Sequence, residues 1–136
     1  MIREERFLLF QDLCARLPYG VKVRTNRGPE KIEGLAPFCH NEVKIAINLD
    51  WSMSISDFTP YLRPMSSMTG KEYKEARTNG CIIYHDTSPK NRGLMVTASP
   101  KGFDWLNKKM FDYRGLIAKG LALEAPEGVY NTMEII

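Results

Sequence analysis

The segment Leu17-Pro18-Tyr19-Gly20-Val21-Lys22-Val23-Arg24 separates two patterns of hydrophobic spacing in the chain. Before it, apolar residues recur every three or four positions, which is the spacing of an amphipathic helix over residues 3–17. The predicted apolar face of this helix holds Phe7, Phe10, Leu13, Cys14 and Leu17, whereas Arg16 falls on its polar face. The residue before a proline avoids helical backbone and a glycine permits a turn, so the helix is predicted to end at Leu17.

After Gly20 the apolar residues alternate with polar ones, which is the period of a half-buried strand. Four short strands are predicted, and they carry Val21 and Val23, Ile32 and Leu35, Val43 to Ile47, and Met53 and Ile55. In the third strand we expect Val43, Ile45 and Ile47 to be buried and Lys44 to be exposed. Strands this short must curve or be covered to bury one face. Residues 1–68 are therefore predicted to form an N-terminal helix and a small curved antiparallel sheet, of which an SH3-like barrel is one form.

The second half of the chain combines helix signals with one hairpin. Thr69 and Glu72 have the spacing of a capping box, and Ser99-Pro100 supplies an N-cap and a first-turn proline. Between these signals, residues 81–84 and 94–96 are β-prone and are predicted to pair as a hairpin. Asp112 is expected to cap a further short helix that ends at Gly120. The predicted fold class is α+β with a helical C-terminal part, and residues 1–68 and 69–136 are expected to pack as one unit.

Composition and charge limit the classes of protein to which the chain can belong. Of its 136 residues, 43% are hydrophobic and 26% are charged, which is ordinary for a globular domain and excludes disordered and fibrous classes. No uncharged apolar run approaches the roughly 18 residues that span a bilayer. The start, Met1-Ile2-Arg3-Glu4-Glu5, is charged where a secretory signal would be apolar. We therefore expect a cytoplasmic protein without a membrane partner.

The net charge of +3 is unevenly distributed along the chain. Residues 69–110 carry eight Lys and Arg against four Asp and Glu, a local excess of four positive charges. Such a mild excess permits an anionic partner without requiring one, because nucleic-acid-binding domains often carry a larger one.

Several segments resemble a known family. They are residues 13–21 (LCARLPYGV), 61–69 (YLRPMSSMT), 104–107 (DWLN), 111–117 (FDYRGLI) and 120–128 (GLALEAPEG). These segments make the chain similar to a family of small uncharacterised proteins of gut anaerobic bacteria and their prophages and mobile elements. Residues 70–74 (GKEYK) depart from that family, which is more acidic at this point. The resemblance implies a bacterial or phage setting, and it implies no activity and no catalytic residue.

The cysteines and histidines are the first candidates for chemistry. Zinc is commonly held by four Cys and His ligands, and the chain offers two pairs of such residues, Cys39 with His40 and Cys81 with His85. Neither pair has the two-residue spacing of common structural zinc sites. Nucleophilic catalysis by a Cys–His pair needs a base within hydrogen-bond reach and a third group that orients it, and Asp86 beside His85 offers such a group only if the loop folds back. We therefore expect structural thiols, no metal, no cofactor and no catalytic residue. A small cysteine- or metal-dependent hydrolase stays as a remote alternative.

Aromatic and basic residues coincide in the second half of the chain. The candidate nucleic-acid-binding residues are Arg92, Lys101, Lys108, Lys109, Trp105, Tyr113 and Arg114. Nucleic-acid surfaces combine cations that contact phosphates with rings on which bases stack. The alternative is that the rings anchor a helical core and the lysines solvate its outer face, with Leu106 and Met110 facing inward.

The sequence therefore predicts a non-enzymatic binding protein of a phage or mobile element, with DNA or RNA as the favoured partner. A protein-interaction module, such as an inhibitor of a host or defence protein, is the second hypothesis. In that case the same aromatic residues would act as anchors in the interface. The sequence indicates no oligomeric state.

Overall fold

A computed structural model describes residues 2–37, 43–86 and 93–130. The α-helices in these residues are α1 (Arg3–Arg16), α2 (Gly70–Thr78) and α3 (Pro100–Lys108). The strands are β1 (Lys22–Thr25), β2 (Gly28–Lys31), β3 (Gly34–Pro37), β4 (Val43–Ile47), β5 (Asp50–Ser54), β6 (Tyr61–Leu62), β7 (Cys81–Asp86), β8 (Gly93–Ala98) and β9 (Leu123–Glu124). Single 3₁₀ turns lie at Leu17–Tyr19, Ile55–Asp57 and Met65–Ser67.

The strands form several small sheets, and the predicted α+β class is confirmed. The pairings are β1 with β2, β3 with β4 and β5, β6 with β9, and β7 with β8, and only β6 and β9 run parallel. The described strands close no barrel, because their pairings form four separate sheets. The chain passes from the first sheet to the second at Ile32 and Glu33. The Ile32 amide donates to the Val21 carbonyl (3.0 Å), and the Glu33 amide donates to the Ala46 carbonyl (2.8 Å).

Helix α1 is confirmed, but the predicted apolar face is partly wrong. Phe7 and Cys14 are exposed, whereas Leu9 and Leu13 lie in the core. Arg16, predicted on the polar face, is inaccessible to solvent. Arg16 can be buried on this face of the helix because the Asp12 carboxylate neutralises its charge (Nε–Oδ2 distance 2.8 Å).

Strand β4 is present as predicted, but burial does not alternate along it, because Ala46 is buried as well as its neighbours and no residue of the strand is exposed. Ile45 and Ile47 are buried, and Val43 is half-buried. Lys44 is also half-buried rather than exposed, since β4 is the central strand of its sheet, with β3 and β5 on either side.

Two hydrophobic clusters make up the core. The first packs α1 against β1 and β4 and also contains Met110, Leu116 and Leu121. The second joins α2, β7 and α3 around Leu106 and Phe111. Leu106 and Met110 are therefore buried as predicted. The division of the chain at residue 68 stays a prediction.

The helix-capping predictions hold for two helices and fail for a third. Thr69 and Glu72 form the capping box of α2, and the Ser99 hydroxyl accepts from the Gly102 amide at the start of α3. The Asp112 carboxylate accepts from the amides of Leu116 (2.8 Å) and Ile117 (2.9 Å). The segment it caps is a series of hydrogen-bonded turns rather than the predicted helix.

Candidate functional site

Trp105, predicted as a base-stacking residue, lies in the second hydrophobic cluster. Its side chain is 8% exposed and stacks on Phe111, with ring centroids 5.8 Å apart and an interplanar angle of 25°. A stacked pair of this kind stabilises the core. Because Trp105 is buried in this pair, its ring offers no accessible face on which a nucleobase could stack.

Tyr113, the other predicted stacking residue, is half-buried and surrounded by side chains of its own chain. Its hydroxyl donates to Oδ1 of Asn107 (2.8 Å), and its ring lies 5.2 Å from that of Phe103. The guanidinium groups of Arg16 and Arg114 lie 5.3 and 5.0 Å from its ring centroid. These cation–π contacts hold the ring in place within the protein.

The predicted phosphate-binding cations that the structure describes are in different environments. Lys101 and Lys108 are exposed on α3, seven residues apart and therefore on the same helix face. Asp104 lies between them on that face, and its carboxylate accepts a hydrogen bond from the Tyr19 hydroxyl. Lys109 is half-buried. Arg114 donates to Asp12, and Arg92 lies outside the described residues.

The candidate metal ligands are only partly covered by the structure. Cys39 and His40 lie outside the described residues, as does the His85 side chain. Cys81 is buried, its thiol donates to the Gly102 carbonyl (3.4 Å), and burial raises the pKa of that thiol. Within the described residues no three His, Cys, Asp or Glu side chains lie together as a ligand set. Cys81 has the environment of a packed structural thiol.

The outer face of the β7–β8 hairpin carries a patch of exposed apolar side chains. Ile82 is 65% exposed, Tyr84 46% and Met95 36%. The register places Tyr84 directly opposite Met95. Ile82 lies two positions before Tyr84 in β7 and therefore on the same face of the hairpin. These three residues are named the hairpin patch. Their counterparts on the inner face, Cys81 and Ile83, are buried.

The apolar run at residues 81–84 is a signal that could have indicated this patch. A strand that is apolar on both faces is typical of a sheet covered on both sides. In the described residues α2 and α3 cover only the inner face. The outer face of this strand is thus an apolar surface without a covering element in the described part of the chain.

An open groove of about 550 Å³ lies beside β8. It is lined by Val96, Phe103, Asn107, Tyr113 and Arg114. Phe103 is partly exposed on the wall of this groove. The lining therefore combines an aromatic wall with a few polar groups, as ligand-binding grooves in proteins commonly do.

A charged cluster lies next to the groove. The Asp12 carboxylate accepts from Nε (2.8 Å) and Nη2 (3.1 Å) of Arg16 and from Nη1 of Arg114 (2.8 Å). Nη2 of Arg16 also donates to the Phe111 carbonyl (2.7 Å). Nη1 of Arg16 is buried and has no acceptor in the part of the chain that is described. One carboxylate thus serves two guanidinium groups, and the cluster carries one net positive charge.

Comparison of the chain with family models, with curated proteins and with solved structures returns no match. Among the described residues, no helix combines the length and the apolar character that crossing a membrane requires.

Proposed function

We propose that this protein is a non-enzymatic binding module whose partner is another protein, and that the hairpin patch is its docking surface. The observation that carries this proposal is the exposure of three large apolar side chains, Ile82, Tyr84 and Met95, at neighbouring positions of one hairpin face. Clustered apolar exposure of this kind is characteristic of interaction surfaces, whereas single exposed apolar residues are ordinary.

The chemistry of the patch fits a protein interface. Tyrosine and methionine are enriched in interfaces, and a tyrosine contributes a large rigid contact area together with a polar tip. Removing an apolar side chain fully from water is worth about 1.5–3 kcal/mol. Covering the hairpin patch therefore supplies a central apolar contact of the size that hot spots require.

A nucleic acid is the second candidate partner, and one observation favours it. Lys101 and Lys108 project from the same exposed face of α3 and could contact phosphates. Trp105 is buried and Tyr113 is enclosed by side chains of its own chain, so neither of the predicted stacking rings is free for a base, and the protein partner is favoured. The resemblance to prophage and mobile-element proteins makes a bacterial host or defence protein the first partner class to test.

Capture from a nuclease-treated bacterial lysate tests this proposal. The variant Ile82→Ser/Tyr84→Ser removes two residues of the patch. The matched control Ile2→Ser/Phe7→Ser removes the same kinds of side chain from exposed positions at the N-cap and in the first turns of α1. We expect a specific protein to be retained by the parent chain and by the control and to be lost with the hairpin variant.

Two results would contradict the proposal. In the first, the hairpin variant retains every protein that the parent retains. In the second, all capture disappears after nuclease treatment and in the variant Lys101→Gln/Lys108→Gln, which would establish the nucleic-acid alternative.

A further inference from the structure

The two edges of the β7–β8 hairpin are in different environments. Helix α2 borders the β7 edge, where the Tyr73 hydroxyl donates to the Ile83 carbonyl (3.0 Å). Strand β8 pairs with β7 and with no other strand in the described residues. Within the described part of the chain, the β8 edge is therefore an open row of backbone donors and acceptors, whereas α2 borders the β7 edge.

The register shows which backbone groups face the open edge. Because the Ile83 carbonyl accepts from Tyr73, it points away from β8, and Ile83 and Val96 form a non-hydrogen-bonded pair. The Val96 amide and carbonyl consequently point away from β7. The neighbouring residues Met95 and Thr97 belong to the pairs that are hydrogen-bonded to β7.

The groove described above begins under this edge, because Val96 is one of its lining residues. A strand that added to β8 would place alternate side chains toward the groove and toward the hairpin patch. The first set would meet the ring of Phe103, and the second would lie beside Met95. Main-chain hydrogen bonds and two apolar surfaces would thus be engaged by the same segment.

Charge complementarity indicates what such a segment carries. Arg114 lines the groove, and it shares the Asp12 carboxylate with Arg16, so these three side chains together carry one net positive charge. A carboxylate is the complementary group, since guanidinium groups bind carboxylates by strong charge-assisted hydrogen bonds.

We infer that the open edge of β8 binds an extended acidic peptide segment of a partner protein, with an apolar side chain in the groove and a carboxylate near Arg114. This inference rests on the proposed function and specifies how the partner is held. A second copy of the chain fits less well. Val96 and Ala98, on the inner face of β8, are small and uncharged, and neither matches the groove or Arg114.

Selection from a displayed library of random twelve-residue peptides on the full-length protein provides the probe. We expect enriched peptides with apolar residues at every second position and at least one Asp or Glu. The variant Arg114→Gln should weaken the best acidic peptide about tenfold, the usual value of one charge-assisted hydrogen bond. The matched change Arg24→Gln, on an exposed residue of β1, should leave its affinity unchanged.

Two independent changes test the edge itself. Val96→Pro removes the amide that faces the open edge, and proline is tolerated on edge strands. Methylating alternate backbone nitrogens of the synthetic peptide tests the same hydrogen bonds without altering the protein. We expect a loss of about tenfold or more with Val96→Pro and with methylation of one alternate set of nitrogens, and little loss with the other set.

Three outcomes would overturn the inference. Peptides whose binding requires Ile82 and Tyr84, but is unaffected by methylation of either set of backbone nitrogens, would be compatible with the proposed function. They would exclude the addition of a strand at the β8 edge. Failure to enrich any peptide, while a lysate protein is still captured through the hairpin patch, would do the same. A dimer in sedimentation that Val96→Pro dissociates would assign the edge to a second copy.

Discussion

Arg16 and Asp12 form an ion pair one helical turn apart in α1, and neither side chain is accessible to solvent. Both charges are removed from water, so each depends on the other and on the further partners Phe111 and Arg114. The pair joins the N-terminal helix to the segment that follows α3. It also sets the charge beside the groove at β8.

Removing only one member of this pair is expected to be strongly destabilising. Asp12→Ala leaves Arg16 charged and buried, which costs about 3–5 kcal/mol in comparable buried pairs. The double variant Asp12→Leu/Arg16→Met should be more stable than Asp12→Ala, because the fully buried Arg16 charge is removed together with its partner and only the partly exposed Arg114 loses its carboxylate. Urea unfolding measures both, with Glu4→Ala on the exposed face of α1 as the control. A double variant less stable than Asp12→Ala would contradict this account of the pair.

Glu72 should make the free energy of unfolding depend on acid pH. Burial alone would raise the pKa of Glu72, but hydrogen bonds from Arg63 and Thr69 outweigh it and hold the pKa below its ordinary value. The ionised Glu72 side chain therefore stabilises the fold fully above about pH 4.3, which is the pKa of a glutamate in the unfolded chain. This stabilisation is lost as the pH falls through the lower pKa that Glu72 has in the folded protein. The stability difference between the parent and Glu72→Gln should shrink as the pH falls below about 4.3. Glu75→Gln, in the same helix, is the control, and an unchanged difference would contradict the assignment.

The backbone of Leu49, in the turn between β4 and β5, is strained, and a substitution by glycine relieves this strain. Asn48 and Leu49 have φ values of 53° and 65°, the left-handed conformation that two-residue hairpin turns require. Leu49 is 85% exposed, so its side chain contributes little packing. Leu49→Gly should therefore stabilise the protein by about 1 kcal/mol. Leu49→Ala, which retains the strain, should not, and equal melting temperatures for the two variants would refute the prediction.

Leu106 is expected to be a core residue of the second hydrophobic cluster. Leu106 is fully buried and packs in the same cluster as Phe111 and Trp105. The variant Leu106→Ala should therefore lower the free energy of unfolding by about 2–5 kcal/mol. Thermal unfolding measures this change, and Ile2→Ala, at an exposed residue, serves as the control. A Leu106→Ala protein that melts within about two degrees of the parent would show that the site does not support the core.

Local signals were sufficient to predict most elements of the fold. The period change at Pro18, the capping box at Thr69 and the Ser99-Pro100 pair depend on neighbouring residues, and the helices they predict are present. The separate sheets could not be predicted, because the crossing at Ile32 depends on distant partners. The parallel pairing of β6 with β9 joins residues more than sixty positions apart and leaves no local pattern.

The candidate site was predicted less well for a related reason. Residue type suggested that Trp105 and Tyr113 stack on bases, but their burial depends on tertiary contacts with Phe111 and Arg16. The i, i+4 spacing of Asp12 and Arg16 was visible in the sequence, yet such pairs are usually solvated. Exposure of Ile82 on the outer hairpin face likewise depends on which elements cover the sheet.

Amide hydrogen exchange measured by NMR at Val96 tests the central claim most directly. In the free protein the Val96 amide should exchange much faster than those of Met95 and Thr97, because only the latter two are hydrogen-bonded to β7. Binding of the selected peptide, or of the captured partner, should slow exchange at Val96 and leave Met95 and Thr97 little changed. A Val96 amide that is already as protected as Met95 in the free protein, or that stays unprotected in the complex, would contradict the open-edge account.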